Sequence, residues 1–295
     1  MPDPTNPGRD DVVIRVREVA KHFPDKAGNM VAVLAAVTFD IYRGETIVIM
    51  GGSGCGKSTL LNCLIGEYHI TGGQVLYRTK DMPDFADIAA MNEQQLNGIR
   101  RKFGILFQSG ALFNSLSLAD NVALPLREHT DVEPGIIDIV VNIKLEQVKM
   151  LAHRDKMPSQ LSGGQKKRAG LARATALDPE ILFYDEPSAG LDPVTSTAID
   201  ELMMDLSKKL QVTSVVVTHE MDSAFRIADR MVMLDRGRVL KVGPRHEFEA
   251  LRDTPPERLA TRDERLINQF LNGFGTGPLT DSEGTSEFEQ LLVEG

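Results

Sequence analysis

Residues 51–59, reading GGSGCGKST, have the types and spacing needed to hold a polyphosphate. Gly51, Gly56, Lys57 and Ser58 fill the fixed positions of the pattern G-x-x-x-x-G-K-[ST]. Glycines let the backbone curl until successive N–H groups face phosphate oxygens, and the start of the following helix adds partial positive charge. Gly52, Ser53, Gly54, Cys55 and Thr59 complete the cradle. Lys57 would reach the β- and γ-phosphates, and the Ser58 hydroxyl would ligate Mg²⁺. The surroundings agree: residues 46–50 are an apolar, β-branched run that reads as a buried strand, and residues 59–65 read as a helix.

A second chemical group stands at Asp185 and Glu186, directly after the apolar residues 181–184. A strand would deliver both carboxylates to the carboxyl edge of a parallel sheet, where open α/β sheets bind their ligands. Asp185 would then hold a metal through a water, and Glu186 would act as general base on an attacking water. The plainer alternative is an exposed acidic pair closing a strand, which the upstream phosphate loop disfavours. His219 ends another buried-strand pattern at residues 214–218, and Gln108 follows residues 104–107. Taken alone, His219 reads as a surface or structural residue, and Gln108 carries no signal. A third group, Leu161 followed by Ser162, Gly163, Gly164 and Gln165, opens a helix that runs through Lys166, Lys167 and Arg168 toward Ala176. A helix start with a serine and two glycines is again an anion site. The chain thus carries two phosphate-binding features but one phosphate loop.

These groups, in this order, resemble the ATP-binding-cassette (ABC) ATPases over residues 12–243. The resemblance implies an α/β fold, a P-loop NTPase of ABC type with a RecA-like mixed-sheet lobe, an inserted helical lobe and a C-terminal extension. It implies ATP and Mg²⁺ as ligands and ATP hydrolysis as the reaction. It places His219 on the γ-phosphate, Gln108 on the metal and attacking water, and Phe23 against adenine, although a phenylalanine at a strand end reads equally as core. Two chains would pair head to tail as a homodimer. Each signature, Ser162 to Gln165, would close over the nucleotide of the other chain, and the segment 189–192, ending in Asp192, would cross that interface. The segments FQSGALFNSLSLADNVALPLREH and YDEPSAGLDPVTS, with residues 267–273, are similar to the ATPases of the Mla and Mce lipid-trafficking systems. That similarity implies integral-membrane permease partners, a hydrophobic cargo such as phospholipid, a small accessory subunit, a substrate-binding protein, and a peripheral position on the cytoplasmic face of the inner membrane. Polar amino-acid and other small-solute importers share much of this background. A soluble ABC ATPase of DNA repair, chromosome structure or translation is disfavoured, because the cassette is neither doubled nor interrupted by coiled coils or zinc modules.

The remaining sequence sets the frame for these groups. A net charge of −9 without a long basic run argues against a nucleic-acid partner. No apolar stretch reaches the length of a membrane span, and the first residues lack signal-peptide features, so a membrane role would run through partners. Two cysteines give no disulfide framework. Cys55 is either a thiol activated by the helix start or a small residue that the loop tolerates. The chain divides into a disordered start at 1–10, a nucleotide-binding lobe from 11–82 and 177–245, a helical lobe from 83–176 carrying the signature, and a C-terminal helix and tail from 246–295. That last helix is expected to begin at Pro255 and Pro256, with Leu259, Leu266, Ile267, Phe270 and Leu271 on its apolar face. Phe288, Leu291 and Leu292 end either a solvated acidic tail or a tether that docks on the neighbouring subunit. The apolar run 112–118 after Gln108 reads as a groove for a partner helix or as lobe packing.

Overall fold

The computed structural model of the protein describes residues 11–279. Strands β1 (Val12–Pro24) and β2 (Met30–Tyr42) form a long hairpin. Its turn is held by Asp25, whose carboxylate accepts from the N–H groups of Ala27 and Asn29. After β3 (Thr46–Gly51) and helix α1 (Lys57–Leu64), strands β4 (Gly72–Thr79) and β5 (Met82–Asp87) join that hairpin. The result is an antiparallel sheet of order β2-β1-β4-β5.

The second sheet carries the chemistry. Its members are β3, β6 (Phe103–Leu106), β7 (Ile181–Asp185), β8 (Thr213–Val217), β9 (Arg230–Asp235) and β10 (Arg238–Pro244), in the order β10-β9-β3-β8-β7-β6. All its pairs are parallel except β9 with β10. Parallel strands covered on both faces read as continuous apolar runs, as residues 47–50 and 215–217 do. Alternate residues serve opposite faces. Ile47 and Ile49 pack with β1, β2 and α1, whereas Val48 and Met50 pack with the helices of the other side. In-register pairing of Ile49 with Val217, Val217 with Asp185, and Tyr184 with Leu106 brings the carboxyl ends of four strands to one edge.

The remaining helices are α2 (Glu93–Arg100), α3 (Leu118–His129), α4 (Pro134–Gln147), α5 (Gly163–Ala174), α6 (Pro193–Leu210), α7 (Met221–Ile227), α8 (Arg245–Asp253) and α9 (Arg262–Asn272). The expectation of a helical stretch over 83–176 needs correction. All of β5 but Met82, and the whole of β6, lie inside that range, and β6 pairs with β7 from Phe103 and Ile181 onward. Helices α3, α4 and α5 supply the helical part. Four residues of strand are too few to show a period, and only pairing along β7 makes that segment extended.

The C-terminal helix also begins later than expected. Pro256 opens a single 3₁₀ turn, and α9 starts after Thr261, which forms a capping box with Glu264. Ile267 and Leu271 complete the helical-side core with Phe248. Asn268, 1% exposed, donates to the carbonyls of Leu251 and Thr254 and so fixes α9 to the end of α8. Residues 1–10, Phe288, Leu291 and Leu292 lie outside the described residues. Among those described, no helix is long and apolar enough to cross a membrane.

Candidate active site

The phosphate loop leaves β3 and enters α1. At Gly51 φ is 152°, and a Cβ there would lie 2.2 Å from the Leu234 carbonyl oxygen of β9, so only glycine fits. Helix α1 begins with no side-chain cap, leaving its first N–H groups to serve an anion. Lys57 is 8% exposed, and its ammonium donates to the carbonyls of Gly51 (2.8 Å) and Gly52 (3.0 Å), which centres the charge in the loop. Ser53, Gly54 and Ser58 are exposed along the rim. Burial pushes the Cys55 thiol up against a weaker pull from Lys57, so of the two readings for this cysteine the small packed residue is the one that fits.

Asp185 ends β7, and Glu186 follows with φ of 48°, a left-handed conformation that a side chain disfavours. Its N–H donates to the Val217 carbonyl and its own carbonyl accepts from Ala189 N–H. One carboxylate oxygen of Glu186 lies 2.9 Å from His219 Nδ1, and the other accepts from the His219 N–H at 3.4 Å. Burial first, then the adjacent Glu186 charge, push the Asp185 carboxyl above its usual range, against the pull of Lys167 and Lys57. Asp185 Oδ1 is buried without a hydrogen-bond partner. A buried lone pair of this kind suits a hard cation. Among the described residues no three His, Cys, Asp or Glu side chains gather as a metal cage. Asp185 Oδ1, Ser58 at the start of α1 and Gln108 after β6 are oxygen donors of the kind that Mg²⁺ takes beside waters and substrate phosphates.

Gln108 follows β6 and is exposed. The apolar run after it is not a groove in its own right. Leu118 is fully buried, Leu112 packs on the core and Leu116 is half-buried. The exposed apolar side chains here are Phe107 (38%) and Phe113 (53%). This loop is built around Asn121, which is wholly buried. Its amide oxygen accepts from Phe113 N–H, and its amide nitrogen donates to the carbonyls of Phe113, Leu116 and Ser117. Asn121→Ala should cost about 2 to 3 kcal/mol, because several backbone groups lose their partner away from water. Urea denaturation measures this, and a loss below about 0.5 kcal/mol would mean that water replaces the amide.

In the signature, Ser162 caps α5 and forms a capping box with Gln165. The hydroxyl oxygen accepts from Gln165 N–H, which leaves its proton for a ligand. A Cβ on Gly164 would lie 2.6 Å from Thr195 Cγ2, so this glycine also lets α6 approach α5. Asp192 caps α6 by accepting from Val194 and Thr195 N–H, and the Thr195 hydroxyl holds its carboxyl below the usual range. Among the described residues no hydrogen bond or ion pair joins residues 162–165 to the phosphate loop of the same chain. The phosphate loop, Asp185, Glu186, His219 and Gln108 share one sheet edge; the signature belongs to the neighbouring helical face.

Known proteins resemble this chain in sequence and fold. The ABC transporter family matches residues 34–189. The chain belongs to that family. It is 40% identical over 276 residues to a probable ribonucleotide transport ATP-binding protein, mkl, of Mycobacterium leprae, covering 94% of this chain and 73% of that protein. It is 36% identical over 259 residues to the intermembrane phospholipid transport system ATP-binding protein MlaF of Escherichia coli (strain K12), covering 88% and 90%. Among solved structures, the dimeric post-hydrolysis state of the ATP-binding cassette MJ0796, bound to ADP and Pi, superposes with a TM-score of 0.70 at 30% identity, covering 78% of this chain and 98% of that one. The fold is therefore that of an ABC-type P-loop NTPase, and the chain is an ABC ATPase.

Within this ABC cassette the structure adds residues that sequence reasoning passed over. Lys167, read only as helix continuation, is 4% exposed and donates to the Glu186 carbonyl at 3.0 Å. Arg173 donates to the carbonyls of Ala111 and Gly110 in the loop after Gln108. The one available signal was their place in a helix that must pack beneath the strand ends. Phe23 stands near the end of β1, half-buried, edge-on to Tyr68 at 5.5 Å, with the Lys21 ammonium 4.8 Å from its ring centre. It is thus neither wholly core nor free.

Proposed function

We propose that this chain is the ATP-hydrolysing subunit of a membrane transporter for a hydrophobic, phospholipid-type cargo, acting as a head-to-tail homodimer beneath integral-membrane permeases. The observation that carries this reading is the similarity to MlaF along nearly the full length of both chains, 88% and 90%. In this reading the N–H groups of residues 51–59 and Lys57 hold the phosphates, Phe23 stacks on adenine, and Glu186 takes the proton of the attacking water. His219, bonded to Glu186, orients that carboxylate and reaches the γ-phosphate, while Gln108 positions the water. Ser58, Asp185 and Gln108 would hold Mg²⁺, which when bound would neutralise charge on the phosphates. Ser162, Gly163, Gly164 and Gln165 close the site of the partner chain, with Asp192 at the seam. The chain itself lies peripherally on the cytoplasmic face of the inner membrane, and a small accessory subunit and a substrate-binding protein complete the assembly. A polar cargo is the second reading, favoured by the likeness to the mkl protein. Purification from detergent-solubilised membranes with the bound permease, followed by extraction, separates the two: phospholipid supports the first and ribonucleotide the second. Recovery without any membrane protein would overturn both.

The permease contact belongs beside Gln108. A cleft of about 520 Å³ lies between α2 and β6 on one side and α3 and α5 on the other, lined by Arg101, Ile105, Pro125, His129 and Arg173 among others. With Phe107 and Phe113 exposed on the adjoining loop, this side of the molecule offers both apolar and cationic contacts to a docking helix. Phe113→Glu is expected to weaken co-purification with the permease at least about tenfold, since it sets an unpaired charge in a desolvated contact. Nucleotide binding by the isolated subunit should be unchanged. Full permease recovery with the variant would remove Phe113 from the interface.

A further inference from the structure

The twelve residues of α5 touch three parts of the machinery at once. Their first turn is capped by Ser162, and their last turn carries Arg173, bonded to the carbonyls of Gly110 and Ala111 after Gln108. Between the two, Lys167 reaches under the end of β7 to the Glu186 carbonyl at 3.0 Å. Its surroundings are unusual for a lysine. The residue is 4% exposed, its acceptor is a neutral carbonyl, and the charges that act on it are Asp185, Glu186 and Glu220. Desolvating an ammonium for one carbonyl contact is costly, and an apolar side chain of equal length would pack there at less expense. Glu186, meanwhile, sits at φ of 48°, which needs its surroundings to hold it. Its carbonyl has two anchors, the Ala189 N–H and Lys167.

We propose that Lys167 is the positioning residue for Glu186: it fixes the left-handed backbone from which the carboxylate projects, and it ties this base to the helix whose first turn serves the partner's nucleotide. The inference rests on the head-to-tail reading for its second half only. Lys167 therefore acts on the site built from its own chain's phosphate loop, although it stands on the helix that completes the opposite site. A base displaced by a fraction of an ångström loses its line to the water while the phosphate cradle is untouched.

The test compares Lys167→Met with the natural chain. Methionine keeps the stem and removes the ammonium, and Ala189 still holds the Glu186 carbonyl. We expect kcat to fall roughly tenfold or more, with ATP affinity within about twofold and the melting temperature unchanged or higher. An unchanged kcat, or a fall matched by equal losses in nucleotide affinity and melting temperature, would overturn the proposal. Mixed dimers then locate the defect. Paired with Lys57→Ala, the Lys167→Met chain should show no recovery above its own reduced rate, because each of the two sites carries one lesion. Paired with Ser162→Arg, activity should recover, because both lesions fall in one site and the other is intact. The reverse pattern would show that Lys167 acts by shaping the signature for the partner, and the positioning role would be lost. The head-to-tail reading is judged separately by pairing Lys57→Ala with Ser162→Arg, so its failure cannot be confused with that of Lys167.

Discussion

Glu186→Gln is expected to bind ATP as the natural chain does and to hydrolyse it about 10² to 10⁴ times more slowly, the usual cost of removing a placed general base. The substitution keeps the shape of the side chain. Its amide can still accept from the His219 N–H, which Glu186 now engages at 3.4 Å, and can still face His219 Nδ1, now 2.9 Å from the carboxylate. What disappears is the site that accepts a proton and a negative charge beside the γ-phosphate. Both changes act in the same direction: turnover stops while the closed, ATP-bound state becomes easier to reach. With ATP and Mg²⁺ the variant should therefore accumulate as a dimer that light scattering detects, whereas the natural chain cycles through it. Hydrolysis within about threefold of the natural rate would remove Glu186 from the role of base.

The second large effect is a complementation across chains. Lys57→Ala removes the ammonium that now donates to the Gly51 and Gly52 carbonyls at the centre of the phosphate loop. Ser162→Arg replaces the cap of α5 with a side chain too large for a closed interface and breaks the capping box with Gln165. Each homodimer should lose most of its activity, on the order of 10²-fold or more, since phosphate positioning and charge stabilisation carry phosphoryl transfer. The two variants mixed should do better than either. One lesion acts within its own chain and the other on the opposite chain, so the mixed dimer keeps one complete site. Nucleotide occupancy measured beside hydrolysis covers a dimer that needs both sites to turn over: occupancy then recovers at one site per dimer. Hydrolysis by a strict monomer would defeat the arrangement altogether. The absence of any bond between residues 162–165 and the phosphate loop within one chain, among the described residues, is what motivates the experiment.

The places where sequence reasoning stopped short are informative. Residues 112–118 are uniformly apolar or small, and nothing in their order distinguishes Leu118, which is fully buried, from Phe113, which is 53% exposed. Asn121 makes that distinction by pinning three carbonyls and one N–H of the loop, and a single asparagine announces none of this in advance. β6 falls inside a stretch that reads as helical for a similar reason. Residues 103–106 become a strand because Ile181 to Tyr184 present an unpaired ladder beside them. The later start of α9 was closer to legible, since Thr261 and Glu264 spell a capping box that the prolines at 255 and 256 overshadowed.

The sequence by itself determined the features whose chemistry is local. A phosphate cradle is made by consecutive backbone N–H groups, so its glycines, lysine and serine must be neighbours in the chain, and residues 51–59 are readable as they stand. The signature at 161–165 and the carboxylates after residues 181–184 are legible for the same reason: a helix start or a strand end is a matter of adjacent residues. Only the tertiary structure decided what crosses the chain. Lys167 meets Glu186 across 19 residues of sequence, Arg173 meets Ala111 across 62, and Gly51 must be glycine because the Leu234 carbonyl of another strand lies against it. Contacts of this kind are set by how sheet and helices pack, through burial and steric fit that no short window of residues contains. They hold the readable groups in working geometry, and they become visible only when the strands are side by side.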